Sequence, residues 1–460
     1  MILIALALAC SSEQSGDTAA VAEVPMPEIW GVEAAVDHDP DPDVVEVHLE
    51  AREVGLEYTP GVTTPVWAYN GQVPGPLIQA RKGDTVRVVF DNNLPAGNDT
   101  TIHWHGLRIS DEMDGTPAVQ DPIAVGEQFT YEFVVPDSGS FWYHPHVRSY
   151  EEIERGLQGL FVVHELDAPE PARDRYFAID DVLLDNDGKL DDFGWDHMTS
   201  MMGRYGNTLL VNGTTELLED SVRPSAPERW RLVNTANART MYADVVGGAW
   251  RVIAIDGTLL PHPYETTRVE LPVGRRADLE VIPDADASTV TLRVLLPGSG
   301  AGEWVDYPIF EGAVEGEAGD GQWLDWPAEG LPAIEDSQQE VELVLGADTS
   351  GSTLQWTING DVYGENDNIY VTANLPSRIR IEETTGMEHP FHLHGQFFQV
   401  VERNGRQEQR DAGLMDTVLV DGEDELVLAT DFSNPGRWMA HCHILEHAEL
   451  GMMTEMVVEE

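Results

Sequence analysis

From Val44 onward, apolar and polar positions alternate in short runs rich in β-branched and aromatic residues, such as Val45-Glu46-Val47-His48-Leu49 and Thr85-Val86-Arg87-Val88-Val89-Phe90. Gln128-Phe129-Thr130-Tyr131-Glu132-Phe133-Val134 and Arg229-Trp230-Arg231-Leu232-Val233 repeat the pattern. A period of two puts one face of each segment against a core, so these runs predict strands. Turn signals separate them: Asn70-Gly71, Pro74-Gly75-Pro76 and Asn92-Asn93-Leu94-Pro95. Long runs of helical periodicity are scarce. Strand-sized pieces at this spacing favour β-sandwiches over alternating βαβ units. Composition shifts at Asp167-Ala168-Pro169-Glu170-Pro171 and from Pro297 to about Gln339 divide the chain into blocks. The expectation is an all-β chain of three consecutive sandwich domains, over 45–167, 172–330 and 338–460.

The chain has 460 residues, 42% of them hydrophobic, which is too much for a single core. Lys and Arg total 26 against 82 Asp and Glu, a formal net charge of −56. That charge repels phosphate backbones, so no nucleic-acid partner is expected. It also suits a saline medium, where screening relieves self-repulsion, and folding stability should then rise with added salt. Upstream of Val44 the first basic residue is absent altogether: acids recur from Glu13 and no Lys or Arg occurs before Arg52. Residues 10–44 therefore read as an acidic, flexible tether. The apolar run Ile2 to Ala9 is far shorter than a membrane-spanning helix and leads through Leu6-Ala7-Leu8-Ala9 to Cys10. Residues 1–9 and Cys10 resemble a bacterial lipoprotein signal, which implies export to the periplasm or cell surface and a membrane tether through lipidated Cys10.

Ten of the 15 histidines fall in four short clusters. These are His103-Trp104-His105, His144-Pro145-His146, His389-Pro390-Phe391-His392-Leu393-His394 and His441-Cys442-His443-Ile444-Leu445-Glu446-His447. On a strand, i and i+2 emerge on one face, so each His-x-His pair presents two imidazoles side by side. In the last cluster His441 and His443 face one way and Cys442 the other. One strand thus serves two sites and links them by short covalent paths. A thiolate, two imidazoles and a weak axial thioether are the ligands of a blue-copper electron carrier. Cys442, His447 and Met452 supply three of these, and four His-x-His pairs account for eight histidines, leaving His389 as the second imidazole. A one-electron carrier wired to eight imidazoles argues for redox metals there too.

In this order and spacing the four clusters closely resemble the copper-binding motifs of the multicopper oxidases, which include laccases and bacterial copper-efflux oxidases. The resemblance runs from Val45 to Val458. It implies three cupredoxin-like Greek-key domains with a trinuclear copper cluster between the first and third. It implies four copper ions: a type 1 ion on His389, Cys442 and His447 with Met452 axial, and a type 2 ion on His103 and His392. The type 3 pair would lie on His105, His144, His146, His394, His441 and His443. The implied activity is one-electron oxidation at the type 1 copper coupled to reduction of O2 to water. Asp114 stands where the family often has a proton-relaying carboxylate. Ala448 stands where a second often follows the type 1 histidine, with Glu446 and Glu449 as the neighbouring acids. Asp416, in Met415-Asp416-Thr417, resembles a family acid at the substrate rim.

The expected donors are small molecules. A laccase-like choice of phenols and aromatic amines leads. Cuprous ion is the alternative, because Met198, Met201 and Met202 offer soft thioethers. A third possibility is a periplasmic copper-binding or electron-transfer protein, which would be blue without consuming O2.

Overall fold

The structure, a computed structural model, describes residues 26–298, 302–327, 330–332, 336–351, 353–407 and 413–460. Six sheets carry the described chain, and they pair face to face in sequence order. The first pair spans Val44–Thr59 to Gly159–His164, with four strands in each sheet. A seven-stranded and a five-stranded sheet follow, from Asp174–Val182 to Trp304–Val314. Six- and five-stranded sheets, from Gln339–Asp348 to Met453–Glu459, complete the chain. Helices are confined to short turns such as Ser149–Glu152, His197–Met202 and Leu445–Glu449. None of the described helices is long and apolar enough to cross a membrane.

Alternation decides which residues form the cores. In the Val44–Thr59 strand, Val45, Val47, Leu49 and Ala51 are buried while the residues between them are wetter. They pack with Val86, Val88 and Phe90 of the parallel neighbour, in register from Val44↔Thr85 to Arg52↔Asn93. Each fully buried Val or Leu contributes about 1.5–3 kcal/mol. The second and third units share one continuous core, so their faces abut rather than hang on a linker.

The tether expected over 10–44 needs correction for its described part. Ile29–Trp30 adds as a parallel strand to the seven-stranded sheet, Ile29 opposite Asp174. Trp30 packs edge-on to Phe310 at 5.3 Å and lies under the Arg175 guanidinium. Farther along, the Asp37 carboxylate accepts the backbone N–H groups of Asp39 and Glu46. A pair of apolar anchors and self-satisfying aspartate turns dock a segment whose composition alone reads as disordered. Cys10 and the leader lie outside the described residues.

Candidate metal centres

Strand register brings the four histidine clusters together. His103–His105 pairs antiparallel with Gly139–His144, placing His103 opposite His144. In the third unit His389–Leu393 pairs with Gly436–Cys442, placing His392 opposite His441 and Phe391 opposite Cys442. The intervening residues point into the cores: Trp104 packs against Phe133 at 5.1 Å and Tyr131 at 5.4 Å, and Phe391 and Leu393 are buried. Apolar demand on one face thus fixes the imidazoles on the other. Gly115 follows Asp114 with φ of +74°, and a Cβ there would collide with the Ile102 carbonyl, so this turn requires glycine.

Two sites result. In the first, Cys442 Sγ lies 3.5 Å from His389 Nδ1 and 3.7 Å from His447 Nδ1, and the two nitrogens are 3.2 Å apart. The far nitrogens are already engaged. His447 Nε2 donates to the Met201 carbonyl at 2.9 Å, and His389 Nε2 lies 3.1 Å from Thr385 Oγ1. Both Nδ1 lone pairs therefore face each other and the sulfur, and a single thiol proton can satisfy only one of them. Burial pushes the Cys442 thiol up and the His447 imidazole well down, so these two side chains resist charging unless a cation enters. Glu383 holds the Thr385 turn. Burial would raise its carboxyl, but hydrogen bonds from His389, Thr385 and the Glu423 backbone outweigh this and bring it down to about 2. Met452 is fully buried beside the pocket, its carbonyl accepting from Cys442 N and its N–H donating to the His447 carbonyl.

The second site is a chamber of eight imidazoles, His103, His105, His144, His146, His392, His394, His441 and His443, all buried. His394 and His441 face each other through their Nε2 atoms at 3.0 Å, while their Nδ1 atoms are taken by Asp114 Oδ2 (2.9 Å) and the Cys442 carbonyl (2.8 Å). His105 Nδ1 and His144 Nε2 face each other at 3.5 Å, with the opposite nitrogens on Thr417 Oγ1 (3.3 Å) and the Pro145 carbonyl (3.0 Å); Asp416 Oδ1 also lies 3.3 Å from His105 Nε2. His103 and His392 bond outward to the carbonyls of Asp114 (3.0 Å) and Asp416 (2.9 Å). Their Nε2 atoms, and both nitrogens of His443, have no hydrogen-bond partner. The His146 ring lies 5.1 Å from that of His394 and 5.3 Å from that of His441. Burial, then neighbouring imidazoles, hold His144, His146, His394 and His443 well below their ordinary value.

Lone pair against lone pair, in a place without water, costs about 1–3 kcal/mol for every unsatisfied atom. Evolved proteins accept that cost where a cation removes it, and neutral imidazoles are good ligands for first-row transition metals. The donor sets therefore fit copper in both sites.

The structure brings together every histidine that the spacing singled out, with Cys442 on the opposite face of its strand from His441 and His443. Asp114 sits in the chamber wall, 1% exposed, Oδ2 on His394 and Oδ1 3.1 Å from His103 Nδ1. Asp416 must be corrected. It is not a rim acid: it is 1% exposed, holds Arg276 through both oxygens at 2.8 and 2.6 Å, and lies against His105 and His392 in the chamber. The Thr417–Val420 strand pairs with His389–Leu393, and that register carries Asp416 inward. Glu446 is buried on Asn237 Nδ2 at 2.9 Å. Sequence reasoning missed Trp356, stacked on His447 at 4.0 Å, and the Met201 carbonyl, because nothing local marks either as a neighbour of residue 447.

Known proteins match this geometry. Sequence models described as multicopper oxidase match residues 50–168 and 336–460. Multicopper oxidase MmcO of Mycobacterium tuberculosis is 27% identical over 430 residues, covering 84% of this chain and 82% of its own. The structure of a Campylobacter jejuni multicopper oxidase, described as a metallo-oxidase, superposes with a TM-score of 0.82 at 25% identity, over 95% of this chain and 96% of that one. CueO from Ochrobactrum sp., described as a laccase-like multi-copper oxidase with oxidase activity towards lignin model compounds, superposes with a TM-score of 0.79 at 25% identity, over 93% and 99%. This chain belongs to the multicopper oxidase family, and it is a copper-binding oxidoreductase that uses O2.

Proposed function

We propose that the chain carries four copper ions, one on Cys442, His389 and His447 with Met452 beside it, and three in the chamber. The supporting observation is the set of nitrogen confrontations: His389 with His447, His394 with His441, His105 with His144, and the unpartnered Nε2 atoms of His103 and His392. Each marks one place where a cation is needed. His443 and His146 complete the His105/His144 and His394/His441 places, their rings lying 5.0 Å from His105 and 5.3 Å from His441.

Copper held there supplies one-electron exchange at the cysteine and four-electron reduction of O2 in the chamber. The protein does the rest. Cys442 joins the two sites through its own backbone, because His441 and His443 are its chain neighbours and His441 Nδ1 bonds the Cys442 carbonyl at 2.8 Å. Asp114 fixes the His394 ring through Oδ2, while its Oδ1, 3.1 Å from His103 Nδ1 but not hydrogen-bonded, can hold a proton bound for reduced oxygen.

Donor access supports cuprous ion as the leading substrate. His447 is fully buried beneath the His197–Met202 turn, so a phenol ring cannot reach its edge. The Met201 carbonyl, bonded to His447 Nε2, offers electrons a path across that turn, and Met198 on the turn is 62% exposed. A net charge of −56 also concentrates cations at the surface and repels anions. The second reading, phenols and aromatic amines, is favoured by Trp195, 39% exposed and packed on Tyr150 at 4.7 Å next to the same turn. Oxygen uptake with cuprous ion and with a phenol panel, alongside copper counted per chain, tests the whole proposal. A blue protein that consumed no O2 with any donor would overturn it in favour of a carrier. We propose an exported, periplasmic or cell-surface location with Cys10 as lipid anchor, supported by the leader sequence and tested by detergent partitioning of a Cys10→Ser variant.

A further inference from the structure

Arg276 belongs to the middle unit, whose strands supply none of the ten clustered histidines, yet its guanidinium reaches the chamber wall and is fully buried there. It grips both oxygens of Asp416 and is anchored by the carbonyls of Ser140 (3.1 Å) and Gly274 (3.1 Å). Ser140 is in the first unit and Asp416 in the third, so this one side chain ties three units at the chamber. Room is reserved for it: Gly106, at φ of +91°, would with any Cβ strike Arg276 Nη2 and Asp416 Oδ2.

Asp416 has two possible uses. Its Oδ1 lies 3.3 Å from His105 Nε2 and 3.4 Å from His392 Nδ1, and those three atoms could themselves hold a metal on the chamber's outer side. Alternatively the carboxylate accepts the Thr417 hydroxyl at 2.8 Å, leaving that hydroxyl oxygen to accept the His105 Nε2–H at 3.3 Å, which turns the Nδ1 lone pair inward to His144. A bidentate guanidinium settles the choice, because it occupies one lone pair on each oxygen, leaves Oδ1 able to accept the Thr417 hydroxyl, and sets beside the carboxylate a positive charge that repels an outer metal.

We infer that Arg276 and Asp416 are a positioning couple, contributed across the middle and third units, that fixes which nitrogen of His105 faces the chamber and bars metal from the outer face of His105 and His392. The inference rests on the copper reading of the chamber. Neither residue touches O2 or donor; both act through His105.

The test uses the copper-loaded full chain and three variants. Arg276→Lys keeps the buried charge but cannot grip both oxygens; Asp416→Asn keeps the shape but loses the charge. Asp174→Asn is the comparison, because it breaks another buried bidentate pair, with Arg231 at 2.9 and 2.8 Å, that is not bonded to any chamber imidazole. Copper affinity is read by chelator competition, chamber geometry by electron paramagnetic resonance, and the cysteine site by its blue absorption. Arg276→Lys and Asp416→Asn should weaken chamber copper about 10–100-fold and change its resonance while the blue absorption stays. Asp174→Asn should lower the melting temperature and leave chamber copper alone. Wild-type affinity and resonance in the first two, or equal weakening in the third, overturns the couple. Wild-type protein that takes up copper only at Cys442 overturns the copper reading, and this inference with it.

Discussion

The cysteine pocket and the imidazole chamber share two strands of the third unit, His389–Leu393 and Gly436–Cys442, but are assembled differently. The pocket draws all of Cys442, His389, His447 and Met452 from 389 to 452 of the third unit, with the Met201 carbonyl lent by the middle one. The chamber takes four imidazoles from the first unit, four from the third, and a guanidinium wall from the second. Ligands close in sequence can be set by one strand pair and one turn. Ligands some 300 residues apart depend on how whole sandwiches dock. The pocket should therefore survive damage to the interface, and the chamber should not.

The sharpest way to break that contrast is Cys442→Ser. Hydroxyl is a poor stand-in for a soft thiolate, so the blue absorption disappears and turnover with every donor falls to background. Chamber copper, held by imidazoles facing the other way, should remain. Elemental analysis and electron paramagnetic resonance of the variant decide this, and loss of all copper would show that the two sites cannot be separated.

Copper removal comes next. A ligand that binds only the folded state at a hundred times its dissociation constant adds about 2.7 kcal/mol for each site. The chamber joins two units, so emptying it should lower the melting temperature more than emptying the pocket. Calorimetry of metal-free wild type, Cys442→Ser and His394→Ala checks the order. Equal losses would mean that docking of the units does not depend on the chamber.

Asp114→Asn tests the chamber's own chemistry. The amide can still hold a neighbour but cannot carry a proton, so re-oxidation by O2 should slow about 100-fold. The blue absorption, and its bleaching by donor without O2, should be unchanged. Stopped-flow measurement of the two half-reactions separates these effects, and normal re-oxidation would remove Asp114 from the proton route.

The contrast between the sites also explains what could be read from the sequence. Strand runs and the His-x-His spacing are local, and they carried the all-β architecture and the gathering of ten histidines with one cysteine. Asp416 defeated local reading because its place is set by pairing of Thr417 with His392, and its partner Arg276 comes from another unit. The family resemblance singled out Asp416, but as an acid at the substrate rim rather than in the chamber wall. Arg276 gave less still: nothing in Gly274-Arg275-Arg276 marks it as a neighbour of residue 416. The stretch 26–43 failed for a different reason. Its charge outweighs its few apolar residues in any compositional measure, although Ile29 and Trp30 alone suffice to dock it.

The smallest expected effect concerns how electrons enter the pocket. Met198 is 62% exposed, so replacing its side chain creates no cavity and leaves folding within about 0.5 kcal/mol. Met201 contributes its backbone carbonyl to His447, and a side-chain change there keeps that hydrogen bond. Thioethers on this turn matter only if they touch the donor. Met198→Ser should then raise the KM for cuprous ion roughly fivefold, which is about 1 kcal/mol, and leave kcat and phenol turnover alone. An equal loss with phenols would make the turn a common conduit rather than a soft-metal dock. No change with cuprous ion would take the thioethers out of donor recognition and bring the Trp195–Tyr150 face forward as the place where an aromatic donor rests.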